Sequence, residues 1–182
     1  MKNERQRQIL DVSQQLFLHY GFQKVTLVDI AKELGVSRPT LYQAFPNKEE
    51  IFKALVEMRH EEFLAQTKEI RMGEGSIQDK LFRAIEIWII KPFELINSSP
   101  GASDFQDGTF AFADQTMESG YAQFEKECAL MMGEMPVSDQ LGNADLAHLL
   151  TQAVRGFKLQ AKEVEELRKL VSDFLVVALG AS

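Results

Sequence analysis

The 182-residue chain is predicted to be all-α, with a small three-helix domain at its N-terminus and a larger helical domain behind it. Three observations carry that prediction. Apolar residues recur at i, i+3, i+4 and i+7 in nearly every segment, the stripe of an amphipathic helix. Ser, Thr and Asn stand where such stripes begin, and Gly stands where they stop. The chain is 45% hydrophobic, enough for a buried core, yet no apolar run reaches the roughly 18 residues a membrane helix needs.

Taken in order, Ile9, Val12, Leu16 and Phe17 share one face of a first helix ending near Gly21. Leu27, Ile30, Ala31 and Leu34 form the stripe of a short second helix. Thr26 is its N-cap, with Asp29 in the capping-box place, and Gly35 is its stop. A third helix begins at once. Ser37 is its N-cap, Pro39 is tolerated in a first turn whose N–H groups lack partners anyway, and Val36 and Leu41 suit a hydrophobic staple. Asn47 caps a fourth helix reaching about Ile70. Ile77 to Ile89 marks a fifth, which Pro92 is expected to kink or end. Helical patterns return at 111–133, at 144–160 and from 163 to Gly180. The expected division is residues 1–46 and residues 47–182, with helix 47–70 linking the two domains.

Composition excludes several classes. The single cysteine, Cys128, rules out an internal disulfide framework. The first residues lack the apolar core of a signal peptide, so a soluble, cytoplasmic protein with no membrane role is expected. His19, His60 and His148 are scattered, so no metal and no cofactor are expected. No catalytic constellation appears, so an enzyme is not expected. Charge is uneven: residues 1–60 carry nine Lys and Arg against seven Asp and Glu, a net +2, while the remainder carries −9. A mildly basic first third on an acidic body hints that only that third meets a polyanion.

Two short helices joined by "LGVS" fit a helix-turn-helix, whose second helix lays its N-terminal residues against base edges in the major groove. On the helix from Arg38 to Phe45, residues Leu41, Ala44 and Phe45 face inward, which leaves Arg38, Pro39, Thr40, Tyr42 and Gln43 outward. Arg38 suits guanine, Gln43 suits adenine and Thr40 a thymine methyl, while the Tyr42 hydroxyl reaches a phosphate. Lys48, a cation in a helix's first turn, is expected at a phosphate, as is Thr26 at the start of the second helix. Lys2, Arg5 and Arg7 are candidates for an arm along the backbone.

The stretch "GFQKVTLVDIAKELGVSRPTLYQAFPNKEEIF" resembles the DNA-binding half of TetR-family (TetR/AcrR-like) transcriptional regulators. The resemblance rests on Gly21, Thr26, Ile30, Ala31, Gly35, Val36, Ser37, Thr40, Leu41, Tyr42, Phe45, Lys48 and Glu49, and covers roughly residues 5–55. It implies a homodimer that binds a double-stranded DNA operator, with a C-terminal domain that binds a small-molecule effector and dimerises through its last two helices. The implied function is a regulator, most simply a repressor released from a pseudo-palindromic operator by its effector. The competing reading is a helical small-molecule-binding or enzymatic domain without a DNA role. Many members carry histidine where this chain has Ala44, so that phosphate contact is not expected here.

The effector site is less legible. Eight of the 17 aromatics lie between Phe82 and Phe124, including Phe105, Phe110 and Phe112. Trp88, Phe112, Met117, Tyr121 and Phe124 are the pocket candidates, with ordinary core packing as the alternative. Asp104, Asp107 and Asp114 suit a cationic ligand or simply a solvated face. Cys128, among acids, reads as a passive residue. Broad apolar faces on the last two helices make Leu150, Val154, Phe157, Leu167, Val171, Phe174 and Leu175 the candidates for the dimer interface. The alternative is that they cover the domain's own core.

Overall fold

A computed structural model describes residues 4–102, 104, 110–133 and 141–180. Lys2, Phe105 and Asp107 therefore lie outside the described residues. Those described form helices α1 (Glu4–Tyr20), α2 (Leu27–Glu33), α3 (Arg38–Ala44), α4 (Lys48–Met72), α5 (Ile77–Ile85), α6 (Lys91–Asn97), α7 (Asp114–Met132), α8 (Asn143–Gln160) and α9 (Val164–Leu179). No β-strand occurs among the described residues.

The chain divides into two compact units. The first takes residues 1–59 and 96–118, the second residues 60–95 and 119–182. These units are drawn differently from the expected 1–46 and 47–182. Ile51, Phe52, Leu55 and Met58 of α4 share the core of Leu10, Phe17, Ile30 and Leu41, so the start of α4 belongs with α1–α3. Residues 96–118 join them: Phe110 stacks on Phe52 with ring centres 4.4 Å apart, and Ala113 is fully buried. Gly101 donates its N–H to the Leu18 carbonyl at 2.8 Å. A Cβ at Gly101 would lie 2.5 Å from the Gly21 nitrogen, so only glycine permits that approach.

The second unit packs Leu81, Ile85, Trp88, Ile89, Phe124, Leu150, Val154, Leu167, Val171 and Leu175 into one core. The helix expected to kink or end at Pro92 does not end there. A π turn over Glu86–Ile90, with the Lys91 N–H donating to the Glu86 carbonyl, leads directly into α6. The wider turn offsets the carbonyl that the proline ring would otherwise crowd, so helix continues to Asn97. Charged pairs hold this unit across its elements: Arg71 Nε to Glu127 Oε2 at 2.8 Å, and Arg168 to Glu86. No described helix is long and apolar enough to cross a membrane.

Candidate nucleic-acid interface

α3 is short, and its surroundings set its orientation. Gly35 at φ +66° ends α2, and the Val36 N–H donates to the Ala31 carbonyl at 3.0 Å. Ser37 then caps α3, its Oγ accepting the Thr40 N–H at 3.3 Å and sharing a 2.8 Å bond with the Thr40 hydroxyl. Leu41 is fully enclosed and Phe45 nearly so, which anchors the inner face. Arg38, Pro39, Tyr42 and Gln43 are exposed, Tyr42 to 52%, and Thr40 is half-buried. The outward set read from the sequence thus lies on one accessible surface, with no ion pair inside the chain engaging Arg38 among the described residues.

Thr26 is exposed and closes a capping box: its hydroxyl donates to Asp29 Oδ2 at 2.6 Å, and its N–H donates to the same oxygen at 2.9 Å. The Thr26 hydrogen bond is the main reason the Asp29 carboxyl titrates below its ordinary value. A phosphate at this helix start would sit beside that carboxylate.

Lys48 is not where the sequence expectation put it. Its Nζ donates to the carbonyls of Phe22, Gln23 and Val25 at 2.8, 3.1 and 3.2 Å, and lies 4.5 Å from the centre of the Phe22 ring. An ammonium has three donors, and here all three are committed to the α1–α2 loop. The physical puzzle of a cation in the first turn of a helix has its answer there. The charge reaches back to loop carbonyls, while Glu49 and Glu50 occupy the same first turn. The Gln23 N–H beside it donates to Asp104 Oδ2 at 2.8 Å, so Asp104 braces the same loop. Arg5 and Arg7 are exposed on α1 and are part of that helix.

The effector candidates divide between the two units. Trp88, Tyr121 and Phe124 belong to the second unit, whereas Phe112 and Met117 pack on the core of the first. Trp88 stacks on Phe124 at 5.0 Å, and its Nε1 donates to the Thr67 hydroxyl at 2.9 Å. His60, passed over in the sequence as scattered, lies 5.1 Å from Trp88 and 6.2 Å from Tyr121. Gly120 makes room for it, since a Cβ there would meet His60 Nδ1 at 1.9 Å. Burial lowers the His60 pKa to about 4, so its ring is neutral at pH 7. The signal in the sequence was the pairing of a histidine with a mid-helix glycine, which no periodicity reveals. Cys128 is fully buried, and burial together with Glu125 and Glu127 pushes its thiol up, away from thiolate chemistry.

The dimer candidates need correction. Leu150, Val154, Leu167, Val171 and Leu175 are completely enclosed within the chain, and Phe157 and Phe174 pack partly against the same core. A second copy cannot touch the five enclosed residues. Their breadth as an apolar face comes from facing α5 and the π turn as well as each other. The apolar side chains that α8 and α9 leave outside are Leu149, Leu159, Val176 and Val177, with Leu159 and Val177 above 80% exposed.

Comparison with known proteins adds to this geometry. Residues 9–55 match the model for bacterial regulatory proteins of the tetR family. The chain is 25% identical over 178 residues to the HTH-type transcriptional repressor ComR of Escherichia coli, covering 89% of this chain and 81% of that one. It is 28% identical over 173 residues to the nucleoid occlusion factor SlmA of Glaesserella parasuis, covering 94% and 83%. A transcriptional regulator from Cytophaga hutchinsonii superposes with a TM-score of 0.75 at 22% identity, covering 97% of each chain. The fatty acid degradation regulator FadR of Bacillus halodurans superposes with a TM-score of 0.74 at 16% identity, covering 100% of this chain and 97% of that one. These two likenesses bear on fold alone.

Proposed function

We propose, from the match of residues 9–55 to the tetR-family model and the likeness to ComR and SlmA, that the chain is a TetR-family DNA-binding transcriptional regulator, a repressor released from a pseudo-palindromic operator by a small-molecule effector. Regulators of this family act as dimers on DNA. The observation that carries the reading is the exposed face of α3: Arg38, Pro39, Tyr42 and Gln43 stand outward from a helix anchored by Leu41. Arg38 and Gln43 read base edges in the major groove, Thr40 meets a thymine methyl, and the Tyr42 hydroxyl holds a phosphate. Ser37 and Thr26 border the same surface and position its two helix starts. Lys48 acts one step back, holding the α1–α2 loop so that α2 and α3 present together.

Two α3 helices about 34–36 Å apart would meet successive major grooves. The second copy is held through the outer faces of α8 and α9, where Leu149, Leu159, Val176 and Val177 are exposed. An effector that favours a different spacing by a hundredfold in affinity supplies about 2.7 kcal/mol against DNA binding. Trp88, Tyr121 and Phe124, with His60, form the ligand-facing group in the second unit.

The test is selection of bound sequences from a random duplex pool by the purified protein at stated salt. A two-fold symmetric site, lost in Tyr42→Ala, supports the reading. Enrichment of no site by ligand-stripped protein overturns it.

A further inference from the structure

The α1–α2 loop, residues 21–25, leads straight into Thr26, the cap of α2, and is held from two distant places in the chain. Lys48 donates to the carbonyls of Phe22, Gln23 and Val25. The second hold comes from beyond α6, outside the residues 9–55 that match the family model. The Gln23 N–H donates to Asp104 Oδ2 at 2.8 Å, across 81 positions of sequence, while the Gln23 carbonyl accepts from Lys48 Nζ at 3.1 Å. A carboxylate and an ammonium thus fix the two polar ends of one residue's backbone. Asp104 lies over Gly21, where a Cβ would meet Oδ2 at 2.7 Å. Gly21 has φ +89°, so glycine serves both the turn and the close approach. Gly101 packs its backbone onto the same turn. A Cβ there would meet the Phe17 carbonyl oxygen at 2.7 Å as well as the Gly21 nitrogen, and neither backbone atom can swing aside. Phe110 sets its ring edge-to-face on Phe22 at 5.2 Å.

What the loop fixes is the placement of α2 and α3. Phe22 and Val25 are buried in one core with Ile30 and Leu41, the inner anchors of those two helices. The turn between the helices is closed by the Val36 N–H on the Ala31 carbonyl. A shift of the loop therefore carries Thr26, then α2, then the outward side chains of α3. Recognition by such side chains requires that they be held within about 0.5 Å of the productive geometry.

We propose that Asp104 and Gly101 are positioning residues for operator recognition: with Lys48 they hold the α1–α2 loop so that α2 and α3 meet DNA as one surface. This rests on the regulator reading above and adds to it two residues from outside the helix-turn-helix. The charge of Asp104 makes the idea testable by sign. It is an acid in the unit that meets a polyanion, so on charge alone its removal tightens binding to any duplex. Positioning predicts the opposite for Asp104→Ala at the operator. It also separates that variant from Asp104→Asn, which loses the charge but keeps an oxygen to accept the Gln23 N–H.

The experiment measures affinity of the full-length protein for the selected operator and for unrelated duplex at one salt concentration. It compares the wild type, Asp104→Ala, Asp104→Asn and Gly101→Ala, each referred to its folded fraction. Emission from Trp88, the single tryptophan, checks that the second unit is intact. Asp104→Ala is expected to bind the operator at least about fivefold more weakly than wild type, the worth of one ordinary hydrogen bond. It binds unrelated duplex as well or better. Asp104→Asn keeps the operator affinity of the wild type or exceeds it, and Gly101→Ala loses at least as much as Asp104→Ala. Exchange of the Gln23 amide, read by NMR, speeds up in Asp104→Ala and Gly101→Ala but not in Asp104→Asn.

Operator affinity in Asp104→Ala equal to or above that of the wild type overturns the proposal. So does a loss shared by Asp104→Asn, or a loss that falls equally on operator and unrelated duplex, which is what a merely structural role produces. If Gly101→Ala does not fold, the two Asp104 variants decide alone. A wild type that prefers no duplex sinks the regulator and this role with it, whereas a preference fully kept by Asp104→Ala sinks only the positioning role.

Discussion

The two units are held together over different distances along the chain, and the contrast explains what each surface is free to do. Around α2, α3 and the start of α4, the fixing bonds span three residues: Thr26 with Asp29, Ser37 with Thr40, Asn47 with Glu50. Long-range side-chain bonds of that unit end on α1 or the α1–α2 loop, as Arg59 does on Asp11 at 2.8 Å and Lys48 does on Phe22. None ends on α3 among the described residues, so the outward side chains of α3 stay available to another molecule. In the second unit the corresponding bonds join distant segments: Trp88 to Thr67, Arg71 to Glu127, Arg168 to Glu86. Its interior side chains are consumed by the fold.

The largest effect expected from this contrast is on stability in the second unit. Leu150→Ala removes a fully enclosed side chain and should cost about 3 kcal/mol. Leu149→Ala, next to it but 50% exposed, should leave unfolding of the separated chains nearly unchanged and weaken self-association. Denaturant melts and sedimentation of both variants check this. Equal stability losses would erase the distinction between enclosed and outward faces.

Acid should act next, and on the second unit. His60 has a folded pKa of about 4 against an ordinary value of 6.5. Between those values the unfolded chain holds more protons, so stability falls as pH drops from 6.5 towards 4 and the loss levels off below it. The full span is worth up to about 3 kcal/mol. His60→Gln should flatten that part of the stability profile relative to wild type. An unchanged slope in the variant means that carboxylates alone carry the acid response.

A smaller effect sharpens the account of the first unit. Lys48→Met should lower stability by about 1–2 kcal/mol, since three loop carbonyls lose their donor. Operator affinity should fall with it, while the slope of log affinity against log salt stays that of wild type. Loss of a direct phosphate contact would instead reduce the slope by about 1 for each subunit.

Legibility in the sequence followed the same division. The caps at Thr26 and Ser37, the stop at Gly35 and the anchor at Leu41 were readable because each is a rule about neighbours three or four residues apart. The outward face of α3 followed from them. Pro92 left a kink or an end open, and the helix does not end there because it continues through a π turn that nothing local in "EIWII" announces. Phe112 and Met117 were grouped with Trp88 by proximity in sequence, yet both pack on the other core, Phe112 against the rings of Phe22 and Phe52. Leu150 and Leu175 were placed at a dimer interface because a stripe states that a face is buried but not by which partner. Lys48 was read through its helix start, although its long stem carries the charge back to the preceding loop.

The most direct test of the account is operator binding by Arg38→Ala/Gln43→Ala, followed by fluorescence anisotropy at fixed salt beside wild type. Both side chains are exposed, so the melting temperature should not move. The account predicts that affinity for the selected operator falls by at least about 2 kcal/mol per subunit towards the level for unrelated duplex, because base contacts are lost and phosphate contacts remain. Retention of the operator preference by a stably folded double variant would contradict the claim that the outer face of α3 reads the DNA.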